Sequence, residues 1–371
     1  KAVKYNRIAA EKSYAKGMTS SAVELYENAL SATKMVGCKT NLKVLLDLYI
    51  SYSKCLLDAQ KDPNEVLSIL DDANKALKES HASSLSEVDF SWVDNETMTL
   101  RALTYYRLRR FNESLSCAKK VLSSKVADLP QKCRSAFYHA ASLPPNETEL
   151  RKTAHLNVIN DIGHAIQKEE LNDSVQIELL KVKSEALNNA GFIFIKLKKP
   201  DDALLYFKEA TKINEMAEIN DQKGVGISHG GMGDCHRAQG ELSSAEHAYK
   251  INLKISAENG DLQGVCRMNS MLGKTCLDKA GLAKDPDQDL YVRASKYYED
   301  SLTAAVSQKH GINIAFALVG IIDVAVASKN HTSFDYMLEE FDRFLSAELH
   351  KSLPGFAKMP LKESLQTVKA T

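Results

Sequence analysis

The sequence is short of the residues that break helices. Eight prolines and 17 glycines in 371 residues leave little room for long disordered linkers or the dense turns of an all-β protein. It has no excess charge of either sign: 48 basic side chains stand against 48 acidic ones. That balance argues against a nucleic-acid partner or an anionic membrane surface, because both need net positive charge. Its cysteines (Cys38, Cys55, Cys117, Cys133, Cys235, Cys266 and Cys276) include no CxxC pair, so neither a zinc site nor a disulfide framework is expected. Each falls in a helical pattern, where a thiol is a small apolar filler. A reducing, intracellular setting, cytoplasmic or nuclear, is the reading. No run reaches the roughly 18 apolar residues of a membrane span, and no membrane insertion is expected. Sequons at Asn95, Asn112, Asn146, Asn172 and Asn330 are taken as chance occurrences. The chain opens on Lys1 and is expected to be excised from something longer, so the lack of a leader excludes nothing.

What is present is a repeat. Ala190-Gly191 is followed by Phe194, Ala203, Phe207 and Ala210. The pattern returns as Met232-Gly233, His236, Gly240, Ala245, Tyr249 and Leu253, and again as Leu272-Gly273, Cys276, Ala294, Tyr298 and Leu302. The N-terminus carries Ala9-Ala10, Gly17, Ala22, Tyr26, Ala29 and Leu30; weaker copies begin at Ala102 and at Val319-Gly320. Two antiparallel helices approach closely only where one presents glycine or alanine. Gly191, Gly233 and Gly273 therefore face Ala203, Ala245 and Ala294, and the following aromatic fills the gap toward the next repeat. Gly17 and Gly240 suit a turn after a helix end.

This spacing resembles the tetratricopeptide repeat (TPR). The copies run to about 40 residues rather than the usual ~34, similar to the long-repeat subclass of LGN/Pins adaptors, rapsyn and kinesin light chain. The fold class expected is all-α: a right-handed superhelical solenoid of about eight antiparallel helix pairs. They span 3–36, 40–79, 85–125, 130–168, 175–217, 221–258, 262–308 and 311–347, within a solenoid covering residues 1–350. Copies are most regular over 1–36 and 175–330 and degenerate over 40–170. Leu143-Pro144-Pro145 splits the fourth pair, Gly281–Leu290 forms an insertion in the seventh, and residues 351–371 form a tail or capping helix.

No catalytic constellation is evident, and no cofactor or metal is expected; the chain is read as a non-enzyme. The glycines at 224, 226, 230, 231 and 233 lack the Lys-Ser/Thr and the β-strand of a phosphate loop and are read as close helix packing. His229, Asp234, Cys235 and His236 suggest metal ligands, but the two histidines stand two helical turns apart, roughly 10 Å. His236 occupies an aromatic position and reads as packed. The resemblance implies a concave groove lined by first helices. Mapped onto this sequence, its partner-binding positions are Asn188, Phe192, Lys196, Asp234, Arg237, Arg267, Ser270, Lys274 and Asp278, with Ile314, Ala317 and Ile321 in the last copy. Arg237, Arg267 and Lys274 form a basic rim suited to carboxylates, against the plain alternative of a solvated helix face. The asparagine–lysine clamp of chaperone-binding TPRs is not matched at Asp234 and Lys274. The function expected is a scaffold or adaptor holding an extended or disordered segment of a partner protein. An obligate architectural subunit of a large complex, or a regulatory domain of a larger enzyme, stays open.

Overall fold

The computed structural model describes residues 2–16, 18–36, 42–59, 61–82, 91–168, 170–284, 287–308 and 310–328. Fifteen α-helices and no strand occur among them. Two compact units divide the chain, 1–186 and 187–371.

The first unit holds α1 (Ala2–Ala15), α2 (Thr19–Val36), α3 (Leu42–Asp58), α4 (Pro63–Ala82), α5 (Ser91–Arg107), α6 (Phe111–Ser123), α7 (Leu129–Ser142) and α8 (Thr148–Lys168). The boundary falls inside α9 (Asp173–Lys196). The second unit continues with α10 (Pro200–Asn214), α11 (Gln222–Ala238), α12 (Leu242–Glu258), α13 (Leu262–Leu282), α14 (Gln288–Ser307) and α15 (Gly311–Ser328). Seven of the expected helix pairs and the opening helix of the eighth are thus described; the remainder of the eighth pair and the 351–371 tail lie outside the described residues. Three-residue connections follow α5, α9 and α11, short enough to make each pair antiparallel. First helices of neighbouring pairs also touch: α3 with α5, α5 with α7, and α13 with α15.

In the second unit the small–large matching is direct. A β-carbon on Gly191 would stand 2.6 Å from the Phe207 ring, and one on Gly231 would stand 2.3 Å from the same ring. Phe207 is therefore gripped between its own first helix and the next. Tyr298 is held the same way by Gly273 and Gly320, and Tyr249 by Gly233. Ala203, Ala245 and Ala294 are fully buried beneath these rings. Within the glycine run, Gly224 and Gly230 meet the Asn214 and Asn252 side chains, so close packing accounts for them. Asp221 and Asp261 cap α11 and α13, accepting from the backbone N–H groups of Gly224 and Gly264 at 3.0 Å each. Gly240 adopts φ +80° at its turn, whereas Arg109 and Lys198 hold the corresponding turns at φ 58° and 59°. The insertion is largely absorbed: α13 runs to Leu282 and α14 starts at Gln288.

One expectation is corrected. The α15 helix is 18 residues long with mean hydropathy 2.0, apolar and long enough to cross a membrane. The single charge at Asp323 and the polar Asn313 interrupt it too sparsely to lower that hydropathy. A core helix passes the same test, and α15 buries Ile314, Leu318, Ile322 and Ala325 with Ala294, Tyr298 and Ala305 of α14. That burial also takes in Ile314, Ala317 and Ile321, at 5%, 0% and 9% exposure; Phe316, Asp323 and Ala327 are the exposed positions instead. The helix is turned on its axis because Gly320 must meet Tyr298.

Candidate functional site on the first helices of the second unit

All nine expected site residues lie in the second unit, on α9, α11 and α13. Two of them, Asp234 and Arg267, pair at one carboxylate, and a third, Phe192, lies against the guanidinium. Tyr249 of α12 donates its hydroxyl to Asp234 Oδ1 at 2.7 Å, and Arg267 Nη2 donates to Asp234 Oδ2 at 3.0 Å. The Arg267 guanidinium also lies 5.5 Å from the centroid of Phe192, whose ring packs edge-on against Phe207 at 5.0 Å. A ring and a carboxylate thus hold that guanidinium from two sides. Burial, reinforced by Asp234, pushes the Tyr249 hydroxyl up, so it remains a hydrogen-bond donor.

Arg237 donates from Nη1 to Asp278 Oδ2 at 3.2 Å and also donates to the Tyr249 hydroxyl, which joins it to the same cluster. The basic rim is therefore partly neutralised from within: Asp234 and Asp278 answer Arg267 and Arg237. Lys274 is exposed, with Asp323 of α15 in electrostatic reach. Lys196 is exposed in the last turn of α9. Asn188 is turned inward at 6% exposure, its side-chain oxygen accepting from Ser228 Oγ at 2.8 Å. Ser270 and Ser301 hydroxyls stand 2.9 Å apart, and Ser301 donates to the Cys266 carbonyl at 2.9 Å. The Ser301 proton being spent, Ser270 is the donor of that pair and keeps its lone pairs for another partner.

Two participants escaped the sequence reading. The repeat pattern makes Tyr249 a core filler, although a tyrosine where Phe207 stands in the preceding copy signals a hydroxyl in use. Glu246 on α12 gathers Lys250 at 2.7 Å, Lys279 at 2.6 Å and Arg293. Burial raises its carboxyl, but these cations outweigh it and hold the group at about 2. Among the described residues no group of three or more metal-ligating side chains occurs. His236 is bonded to Glu241 at 2.7 Å. Burial pushes the Cys235 thiol up to about 12, leaving little thiolate at neutral pH.

No family model and no curated protein matches this chain. Solved structures do. The apo form of RapI aligns over 100% of this chain and 99% of its own, at 14% identity and TM-score 0.54. A Rap protein complexed with Competence and Sporulation Factor aligns over 99% and 98%, at 11% identity and TM-score 0.55. A tetratricopeptide repeat protein from Parabacteroides merdae covers 86% of this chain and 99% of its own, at 13% identity and TM-score 0.48, too low to weigh. The fold is a TPR-like helical-repeat solenoid. At these identities the likeness speaks of fold alone, and the TPR-like character rests equally on the glycine–ring packing of the second unit.

Proposed function

We propose that this chain is a protein-binding scaffold, a non-enzyme whose second unit holds an extended segment of a partner protein in the groove of its first helices, along Phe192, Asp234, Arg237, Arg267, Ser270, Lys274 and Asp278. The observation that carries this reading is Arg267. A half-exposed guanidinium (51%) is held over Phe192 and tied to Asp234, and such ordering of a long side chain costs entropy that helix packing elsewhere does not require. The copies of about 40 residues favour the long-repeat subclass, and the Rap protein of similar fold held with Competence and Sporulation Factor is in keeping with a binding role. A disordered segment buries much area along such a surface.

The test is selection of a random twelve-residue peptide library on the full chain, followed by titration calorimetry of the enriched peptides. Arg267→Gln with Lys274→Glu weakens them more than tenfold, about 1.4 kcal/mol, with circular dichroism and melting unchanged. Glutamine replaces a reversal at Arg267 because a carboxylate there would face Asp234. If no peptide is enriched, the obligate architectural subunit takes the lead.

A further inference from the structure

The unmet hydrogen-bonding capacity of α13 specifies the ligand more narrowly, on the reading just given. Arg267 commits one of its five N–H donors to Asp234, and Lys274 makes no hydrogen bond or ion pair within 4.0 Å among the described residues. Of the acids beside them, Asp234 takes Tyr249 and Arg267, Asp278 takes Arg237, and Asp323 of α15 lies in electrostatic reach of Lys274 without an ion pair to it. What α13 offers outward is thus cationic, although the face as a whole is close to neutral. Two turns of helix separate Arg267 from Lys274, about 10.5 Å along the axis at about 1.5 Å per residue. Ser270 lies between them, half-buried, with an acceptor to spare.

That spacing selects a backbone. In a polyproline II segment, residues three apart point the same way and stand about 9.3 Å apart; in a β-strand, same-side neighbours two apart stand only about 6.6 Å apart. We infer that the second unit recognises an acidic segment in polyproline II conformation, lying along α13, with two carboxylate side chains three residues apart. One carboxylate takes the free edge of Arg267 and the other takes Lys274. Ser270 accepts a backbone N–H between them, which no segment with hydrogen bonds of its own has free to give, whereas a polyproline II backbone leaves every one unpaired.

The library selection decides it. The enriched peptides carry Asp or Glu pairs at a spacing of three, and replacing either acid by its amide weakens binding at least tenfold. Arg267→Gln abolishes the dependence on one acid and Lys274→Gln the dependence on the other, so each variant binds the matching amide peptide as well as the acid one. Enriched peptides without that pair, or variants that discriminate as wild type does, overturn the inference and leave the scaffold reading standing. Failure to enrich any peptide overturns both.

Discussion

The two units hold their helices together by different physics. In the second, rings sit on glycines: Phe207 between Gly191 and Gly231, and Tyr298 between Gly273 and Gly320. In the first, a chain of charges does comparable work. Lys54 of α3 reaches Glu96 of α5 at 2.8 Å; Arg134 of α7 binds Glu96 through two parallel contacts at 3.0 and 2.7 Å and Glu178 of α9 at 3.1 Å. Glu96 is 4% exposed. Burial raises its carboxyl, but Arg134 and Lys54 overcome that and hold it at about 2. Apolar matching of shape repeats from copy to copy and leaves outward groups available, whereas an ion chain centred on the buried Glu96 is specific to its four residues. Ions are not confined to the first unit, since Glu246 gathers three cations in the second. There they add to a ring-on-glycine packing that recurs from copy to copy, whereas around Glu96 the copies are degenerate.

The comparison breaks first at Glu96. Removing one member of a buried ion pair strands the others and costs about 3–5 kcal/mol, so Glu96→Ala is expected to be the most destabilising change, read by urea denaturation. Hydrogen exchange should show the loss in residues before 187. Replacing the set together (Lys54→Met, Glu96→Leu, Arg134→Met) should recover most of it. A cost below about 1 kcal/mol for Glu96→Ala would mean the chain is surface decoration, and the contrast between units would fall.

In the second unit the counterpart is Gly233→Leu. A β-carbon there would lie 2.5 Å from Tyr249, and overpacking costs about 1–3 kcal/mol, with this site expected at the top of that range. Tyr249→Ala in the same chain opens the space the leucine needs, so the double variant should be less destabilised than the sum of the two single ones. Additive losses would show that the glycine and the ring do not press on each other.

These contrasts explain what could be read in the sequence. Gly191, Gly233 and Gly273 recur with their aromatics at nearly fixed spacing, because one packing problem is solved repeatedly. The helix pairs follow from it to within a few residues. Lys54, Glu96, Arg134 and Glu178 share no spacing, since they come from four helices and meet only after folding. The same limit applied at the candidate site. Phe192, Asp234 and Arg267 were legible as positions on first helices, but the pairing of Arg267 with Asp234 was not, because charge satisfaction depends on which helix lies alongside. Asn188 shows the converse: it stands on a first helix as expected, and only the neighbouring Ser228 reveals that its oxygen is spent inward.

Acid sharpens the comparison next. His155 of α8 is fully buried beside Phe137, ring centroids 5.8 Å apart. Burial, with Arg151 adding to it, pushes the imidazole down to about 4. The unfolded chain takes up this proton near 6.5, so between about 6.5 and 4 the unfolded state binds more protons than the folded one. Stability from a neutral His155 is complete above about pH 6.5 and is lost as pH falls toward 4, by about 3 kcal/mol in total. His155→Leu should remove most of that slope, measured as urea midpoints at pH 7 and 5. Glu96 and Glu246, both held near 2, lose their contribution only below about 4.5. His139 and His229, also lowered by burial, are partly exposed and contribute less. An unchanged slope in the variant would move the acid sensitivity to them.

The smallest expected effect asks whether the units share anything at the level of the turn. Arg109 in the first unit and Lys198 in the second take φ 58° and 59°, where Gly240 takes φ 80°. A side chain in the left-handed region costs about 1–2 kcal/mol, while introducing glycine loosens the unfolded chain by about 0.4–1 kcal/mol. Arg109→Gly and Lys198→Gly should each gain about 0.5 kcal/mol, and Gly240→Lys should lose about as much. At roughly 2–4 °C per kcal/mol for domains of this size, that is a shift of about 1–2 °C in melting temperature, with opposite sign for the glycine removed and the glycines added. Matching gains at 109 and 198 would establish one turn geometry beneath two kinds of packing. A loss at Arg109 with a gain at Lys198 would show that even the turn has diverged, and that the side chain at 109 holds its own unit in ways its backbone angle does not reveal.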